Sequence, residues 1–296
     1  MQCVDAVVDL LVNTILPPDR KLKPFKKQPL SMTLSDEQLI LMYFEDHLKN
    51  HYFQFITMLE KMSHDSILYV RMKIVSHIFA LLKAKPEQEA NLLRLGVNKL
   101  GDIDNKVSSK TSYQILLVEQ EHPAMKQIIS EGVIDVVFRS NNDHHALYYS
   151  VNTLNQTILT KHDESLANKL VDAYFALFEK LLVKTNDENN GKLKETEHQK
   201  DGRRKQKVKR GKKGGKSVKN VKDESEVVEE KNSKMFAAIL TGLNRAFPFS
   251  NFPMNIFENH LNVLYKITHS LNFNTSVQAL IFIQTITSKI SYESHR

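Results

Sequence analysis

The sequence predicts an all-α protein: a HEAT/armadillo-like α-solenoid interrupted by a long disordered basic insert. Three observations carry this. Outside residues 186–232, apolar residues recur almost everywhere with the 3.6-residue period of a helix. No stretch sustains the period-2 alternation and hairpin turns of a sheet. The basic excess of the chain is confined to one segment that is nearly empty of large apolar residues.

Taken in chain order, Ser35-Asp36-Glu37-Gln38 has capping-box spacing and opens the first long helix. Leu68, Met72, Val75, Phe79 and Leu82 form a stripe at spacing 4-3-4-3, and Leu147, Val151, Leu154 and Ile158 repeat it. Asp163-Glu164 places negative charge where a helix dipole favours it, ahead of Leu166, Leu170, Tyr174, Leu177 and Leu181. Phe236, Ile239, Leu240, Leu243 and Phe247 form another stripe, and Phe257, Leu261, Leu264 and Leu271 the next. Pro86, Pro123 and Pro248 fall between stripes, where proline starts or stops a helix. Residues 277–290 are apolar on more than one side, so a helix there must be covered twice, as stacked helix pairs do. Ten to twelve helices of roughly 10–20 residues are expected.

A weak repeat accompanies the stripes. Asp65 precedes Val70-Arg71-Met72, Asp102-Ile103-Asp104 precedes Val107, and Asn274 precedes Val277-Gln278-Ala279-Leu280. An Asp or Asn before an apolar helix can cap it and brace the preceding turn, as in the second helix of a HEAT or armadillo repeat.

Composition removes several function classes. The chain has 296 residues, with 9 Gly, 8 Pro and no Trp, and no glycine-rich phosphate loop can be found in it. A single cysteine, Cys3, excludes an intrachain disulfide framework and a Cys-based zinc cluster. No apolar run reaches the roughly 18–20 residues that a membrane-spanning helix needs. The start, MQCVDAVVDLL, lacks the basic region of a secretory signal. A reduced, intracellular, soluble protein is expected.

Charge is the most informative feature. Lys184–Lys234 holds 17 Lys+Arg and 10 Asp+Glu, which accounts for the whole formal charge of +7. Within it, Arg203–Lys222 carries 11 Lys+Arg and no acid, followed by the acidic patch Asp223–Glu230. Between residues 186 and 232 the only large apolar residues are Leu193, Val208, Val218, Val221, Val227 and Val228, too few to offset ordering entropy. Three parts are therefore expected: residues 1–185 as an N-terminal helical-repeat part, 186–232 as a disordered linker spanning roughly 35–40 Å, and 233–296 as a truncated C-terminal helical-repeat part packing on the first. Arg203, Arg204, Lys205, Lys207, Lys209, Arg210, Lys212, Lys213 and Lys216 are the candidate nucleic-acid-binding or nuclear-signal residues. With no aromatic residue interleaved, the tract should bind phosphate without reading bases.

Catalytic chemistry finds little support. The densest histidine cluster, Asp143-His144-His145, puts adjacent side chains about 100° apart on a helix, and there is no HExxH or GxSxG. Glu119 and Glu121 do not face each other on a helix. No enzyme activity, metal or small-molecule substrate is expected. Asn155-Gln156 reads as an amide buried against a neighbouring helix. Asn244 and Arg245, with the aromatic turn around Phe247 and Phe249, are the candidate partner-facing residues.

Five segments occur in an order that carries a resemblance: NKLGDIDNKVSSKTSY (Asn98–Tyr113), HPAMKQIISEGVIDVVFRS (His122–Ser140), ALYYSVNTLNQTIL (Ala146–Leu159), ILTGLNRAFPFS (Ile239–Ser250) and HSLNFNTSVQAL (His269–Leu280). Together they resemble the core of the CCAAT-binding-factor family of nucleolar ribosome-assembly proteins. The resemblance runs from about Lys61 to Ile290, and the basic insert between the third and fourth segments resembles that family too. Ile103 departs from it, standing where the family often has proline. The resemblance implies a non-enzymatic helical-repeat scaffold, without cofactor, located in the nucleus and nucleolus. It implies assembly and maturation of the large ribosomal subunit precursor, with a second nucleolar complex protein, pre-ribosomal RNA and large-subunit assembly factors as partners. The family label implies an alternative, a CCAAT-box DNA-binding transcriptional regulator. No zinc finger, zipper or evident recognition helix supports it.

Overall fold

A computed structural model of the chain describes residues 1–29, 34–139, 143–181, 224–251, 265 and 273–294. Among the described residues there is no strand, an all-helical fold consistent with an α-solenoid. The chain divides into two compact units, Met1–Ile158 and Leu159–Arg296.

The first unit contains α1 (Gln2–Leu10), α2 (Asp36–Met62), α3 (Leu68–Ala84), α4 (Glu89–Asn98), α5 (Asn105–Glu121), α6 (Lys126–Phe138) and α7 (His144–Gln156). α3 packs on α5 and α5 on α7, while α4 packs on α6, so alternate helices form two layers. α3 pairs with α4 and α6 with α7 across the layers. α3 buries Ile74, Val75, Ile78, Phe79, Leu81 and Leu82, far more than one narrow stripe, because it is covered from several sides. Gly96 of α4 sits on Phe79, and a Cβ there would stand 2.7 Å from the ring's Cζ.

The expected caps form. Ser35 and Gln38 make a complete capping box at the start of α2. The side chain of Asp104 accepts from Lys106 N at 2.8 Å and starts α5. Asp65 and Asp102 do brace turns, accepting from Ile67 N at 2.8 Å and Asp104 N at 3.1 Å. Asp102 also gathers two cations: Arg71 Nε lies 3.2 Å from its Oδ2, and Lys99 Nζ lies 3.9 Å away. Arg71 donates onward to the carbonyls of Asp65 and Ser66, and Lys99 to that of Ser63. Burial pushes the Lys99 pKa down, Asp102 raises it, and Arg71 lowers it again. This node ties the turn before α3 to the turn before α5. Ile103, in that second turn, points into solvent.

α5 and α7 meet through small polar residues: Ser108, Thr111 and Ser112 on one side, Ser150 and Thr153 on the other, all buried. Thr153 Oγ1 donates to Ser112 Oγ at 2.8 Å, and Ser112 Oγ donates to Gln156 Oε1 at 3.3 Å. Asn155 is buried as expected, whereas Gln156 is exposed. Below this seam Glu119 is buried and accepts from Thr157 Oγ1 at 3.2 Å. Burial pushes its carboxyl up to about 7, against the opposing effects of Thr157 and Lys126.

The second unit contains α8 (residues 164–181), α9 (Glu224–Ala246) and α10 (Phe273–Ser294). Leu166, Leu170, Tyr174, Leu177 and Leu181 are all buried, as their spacing predicts. Phe178 packs edge-on to Phe236 at 5.4 Å, and Phe282 takes the rings of Phe247 at 5.6 Å and Phe175 at 6.2 Å. Residues 224–232, expected to be disordered, form the first turns of α9. Glutamate and lysine favour helix, and Lys234 Nζ pairs with Glu230 Oε1 at 2.9 Å one turn on. Residues 186–223 of the expected insert, and the stripe at Phe257, Leu261, Leu264 and Leu271, lie outside the described residues. α7 ends at Gln156, so Ile158, counted in a stripe, is 54% exposed.

Two outcomes are expected. Gly96→Ala should lower stability by about 1–2 kcal/mol in chemical denaturation, because overpacking Phe79 outweighs alanine's better helix propensity. Phe79→Leu should recover part of that loss in the Gly96→Ala background. Glu119 has a folded pKa above its unfolded one, so the native state holds the extra proton, and stability falls as pH rises from about 4.5 to about 7. Glu119→Gln should therefore add about 1–3 kcal/mol at pH 8 and little at pH 4.

Candidate functional site

Two outer surfaces of the first unit carry residues that its packing does not use. The first is on α2. A strap of chain, residues 20–28, runs along one side of this helix. Glu45 takes Arg20 and accepts from Lys23 N at 2.8 Å, and Asp46 accepts from Phe25 N at 3.0 Å. Lys49 Nζ donates to Leu22 O at 2.9 Å and to the buried Glu87 Oε1 at 2.7 Å, and Glu87 Oε2 accepts from Leu22 N at 2.6 Å. Burial pushes the Glu45 carboxyl up, but hydrogen bonds from Arg20, Lys23 and Gln28 and the arginine's charge together outweigh it and hold the carboxyl below its ordinary value. The strap fixes which way α2 faces. It leaves Ile40 and Leu41 each 68% exposed and Phe44 56% exposed. At spacing 40, 41 and 44 these three lie on one side of the helix and form an apolar stripe open to solvent.

The second surface is the seam between α3 and α5. Lys110 Nζ, on α5, donates to Met72 O on α3 at 3.0 Å. Burial lowers the Lys110 pKa, and the neighbouring Lys73 lowers it further. His77, also on α3, feels both lysines. Burial lowers its pKa first, and Asp5 of α1 counters this from 2.8 Å, a contact not aligned as a hydrogen bond. Tyr69, one turn before Lys73, is 60% exposed, and Tyr113, one turn after Lys110, is 58% exposed. The packing of two helices thus brings two like charges together, with an exposed aromatic residue one turn away on each helix.

The basic residues singled out from the sequence, Arg203, Arg204, Lys205, Lys207, Lys209, Arg210, Lys212, Lys213 and Lys216, lie outside the described residues. Of the candidate partner-facing group, Arg245 is exposed in the last turn of α9, and Asn244 and Phe249 are half-buried. Phe247 is buried against Phe282. Arg245 also lies near the buried Tyr174, whose pKa is raised by burial and lowered by the arginine. Sequence reasoning missed both surfaces of the first unit. The α2 stripe has the periodicity of a core stripe, and only the strap shows that it faces outward. The Lys73–Lys110 pair joins residues 37 apart, which no local pattern reveals. Among the described residues, no group of three or more His, Cys, Asp or Glu is arranged to hold a metal ion, and no helix is long and apolar enough to cross a membrane.

No family model matches the chain. Individual relatives do. An uncharacterized protein of Schizosaccharomyces pombe is 41% identical over 300 residues, which cover 100% of this chain and 34% of that protein. Ribosome biogenesis protein NOC1 of Chaetomium thermophilum is 40% identical over 306 residues, 96% of this chain and 28% of that protein. CCAAT/enhancer-binding protein zeta of Homo sapiens is 32% identical over 292 residues, 96% of this chain and 24% of that protein. The chain spans a quarter to a third of the length of these relatives.

Proposed function

Because the chain belongs to the CCAAT-binding-factor family of nucleolar ribosome-assembly proteins, we propose that it is a non-enzymatic scaffold for nucleolar assembly and maturation of the large ribosomal subunit precursor. The observation that carries this is the alignment of nearly the whole chain with a protein named for ribosome biogenesis. Binding to a second nucleolar complex protein and to pre-ribosomal RNA belongs to the same proposal, as does a nuclear and nucleolar location.

The architecture we infer is a HEAT- or armadillo-like stack. Its support is the two-layer packing of α3 to α7 and the Arg71–Asp102 link between successive turns. A stack of this kind offers broad surface and no reaction centre. The exposed stripe Ile40, Leu41 and Phe44 has the chemistry of a protein-partner surface. Arg245 and Phe249 are further partner-facing candidates. Arg203–Lys216 supplies sequence-independent attraction to phosphate and a nuclear address.

The name of the human relative, CCAAT/enhancer-binding protein zeta, carries a second reading, binding to CCAAT DNA. It requires tighter binding to a CCAAT duplex than to a scrambled one at physiological salt.

In a gradient of cell extract, the tagged chain should co-sediment with large-subunit precursors. Migration as free protein only, while a full-length relative co-sediments, would contradict the scaffold reading.

A further inference from the structure

Building on the reading that this chain contacts pre-ribosomal RNA, we propose that the α3–α5 seam is a single-stranded RNA site, in which Lys73 and Lys110 hold phosphates and Tyr69 and Tyr113 stack on bases. This goes beyond the basic tract of residues 203–222. It places an attachment point on the folded body.

Lys73 and Lys110 lie close enough to depress the ionisation of Lys110. Neither has a carboxylate oxygen within 4 Å among the described residues. Several other cations of this unit are paired, among them Arg20 with Glu45, Lys49 with Glu87, Arg71 with Asp102, and Lys83 with Glu121. Two like charges side by side repel, and a bound anion relieves that repulsion. Lys110 is held in place by Met72 O, so part of the ordering cost of binding is already met before an anion arrives.

The remaining groups around the pair agree with this. His77 faces it from α3 with its charged form disfavoured by burial, and Asp5 of α1 lies against that histidine. Lys106 lies one turn before Lys110 on α5 and is exposed. Tyr69 and Lys73 are four apart and Lys110 and Tyr113 three apart, so each helix presents one ring and one cation on one side. A cationic track with exposed aromatic rings is what single-stranded RNA requires: phosphates meet the charges, and bases stack without being read. The basic tract at residues 203–222 lacks aromatic residues and cannot supply the second part.

The test uses the full chain and a labelled oligouridylate of about 20 nucleotides, followed by fluorescence anisotropy between about 50 and 200 mM salt. Lys73→Gln/Lys110→Gln should weaken binding about tenfold at the lower salt. It should also make the slope of log affinity against log salt shallower by about 1.4, or 0.7 for each lost contact. Lys73→Arg/Lys110→Arg should restore both. Tyr69→Ala/Tyr113→Ala should weaken binding about tenfold with the slope unchanged, because stacking releases no counterions. A chain lacking residues 203–222 should bind more weakly yet still respond to the lysine substitutions. If the double Gln variant loses thermal stability, Lys73→Gln alone decides, since Lys73 makes no hydrogen bond to the protein among the described residues. If the intact chain binds RNA, but the lysine substitutions change neither affinity nor slope, the seam proposal fails and the RNA reading stands. If the intact chain does not bind the probe at all, both fail.

Discussion

The structure rests on a constraint of coverage. α3 buries a broad apolar face and α5 a face of apolar and small polar residues, so neither is satisfied by a single neighbour. Stacking in two layers solves this: α3 is covered by α4 across the layers and by α5 alongside, and α5 is covered again by α7. Close approach along α5–α7 needs small side chains, and Ser108, Thr111, Ser112, Ser150 and Thr153 supply them. Bonds such as Thr153 to Ser112 offset part of the polar cost of burying them, while the buried Ser150 hydroxyl has no hydrogen-bond partner among the described residues. At the turns the same constraint produces the Asp102 node. There a carboxylate that is almost fully covered takes Arg71 and Lys99, and those cations satisfy the carbonyls of the preceding turn. Removing Asp102 would leave two covered cations with carbonyl partners but no counter-charge, which is more costly than losing a surface pair.

Coverage also decides what is left for function. Once the core is closed, the outer face of the stack keeps only residues that packing does not require. In this chain those include an apolar stripe on α2 and a lysine pair at the α3–α5 seam. The two are chemically distinct, one apolar and one cationic. Neither surface needs a moving part or an activated nucleophile. The chain spans a quarter to a third of the length of these relatives.

Much of the helical body was legible in local pattern. Leu166 to Leu181 turned inward as their spacing requires. The Ser35 box and the Asp104 cap formed where the sequence places them. Asp65 and Asp102 brace turns because an Asp two residues before a backbone N–H can reach it, a purely local geometry. What could not be read depends on distance along the chain. Glu87 is buried because the strap of residues 20–28 arrives there, 65 residues earlier in sequence. Residues 277–290, expected to be covered on both sides, bury among the described residues only the face of Ala279, Phe282, Ile283 and Ile286, where Phe282 meets Phe175 and Phe247; Leu280 and Ile281 on the other side are about half exposed. Residues 224–232 look unfoldable by apolar content alone, yet they propagate a helix anchored from Met235 onward, where each added turn extends an existing nucleus.

The central claim is that an ordered helical body, and not only a cationic segment, meets RNA. Ultraviolet crosslinking of the chain within purified large-subunit precursors, with the crosslinked peptides mapped by mass spectrometry, tests it most directly. The account predicts nucleotide adducts on the peptides containing Tyr69 and Tyr113 as well as on those from residues 203–222. Adducts confined to residues 203–222, with the α3 and α5 peptides recovered unmodified, would contradict it.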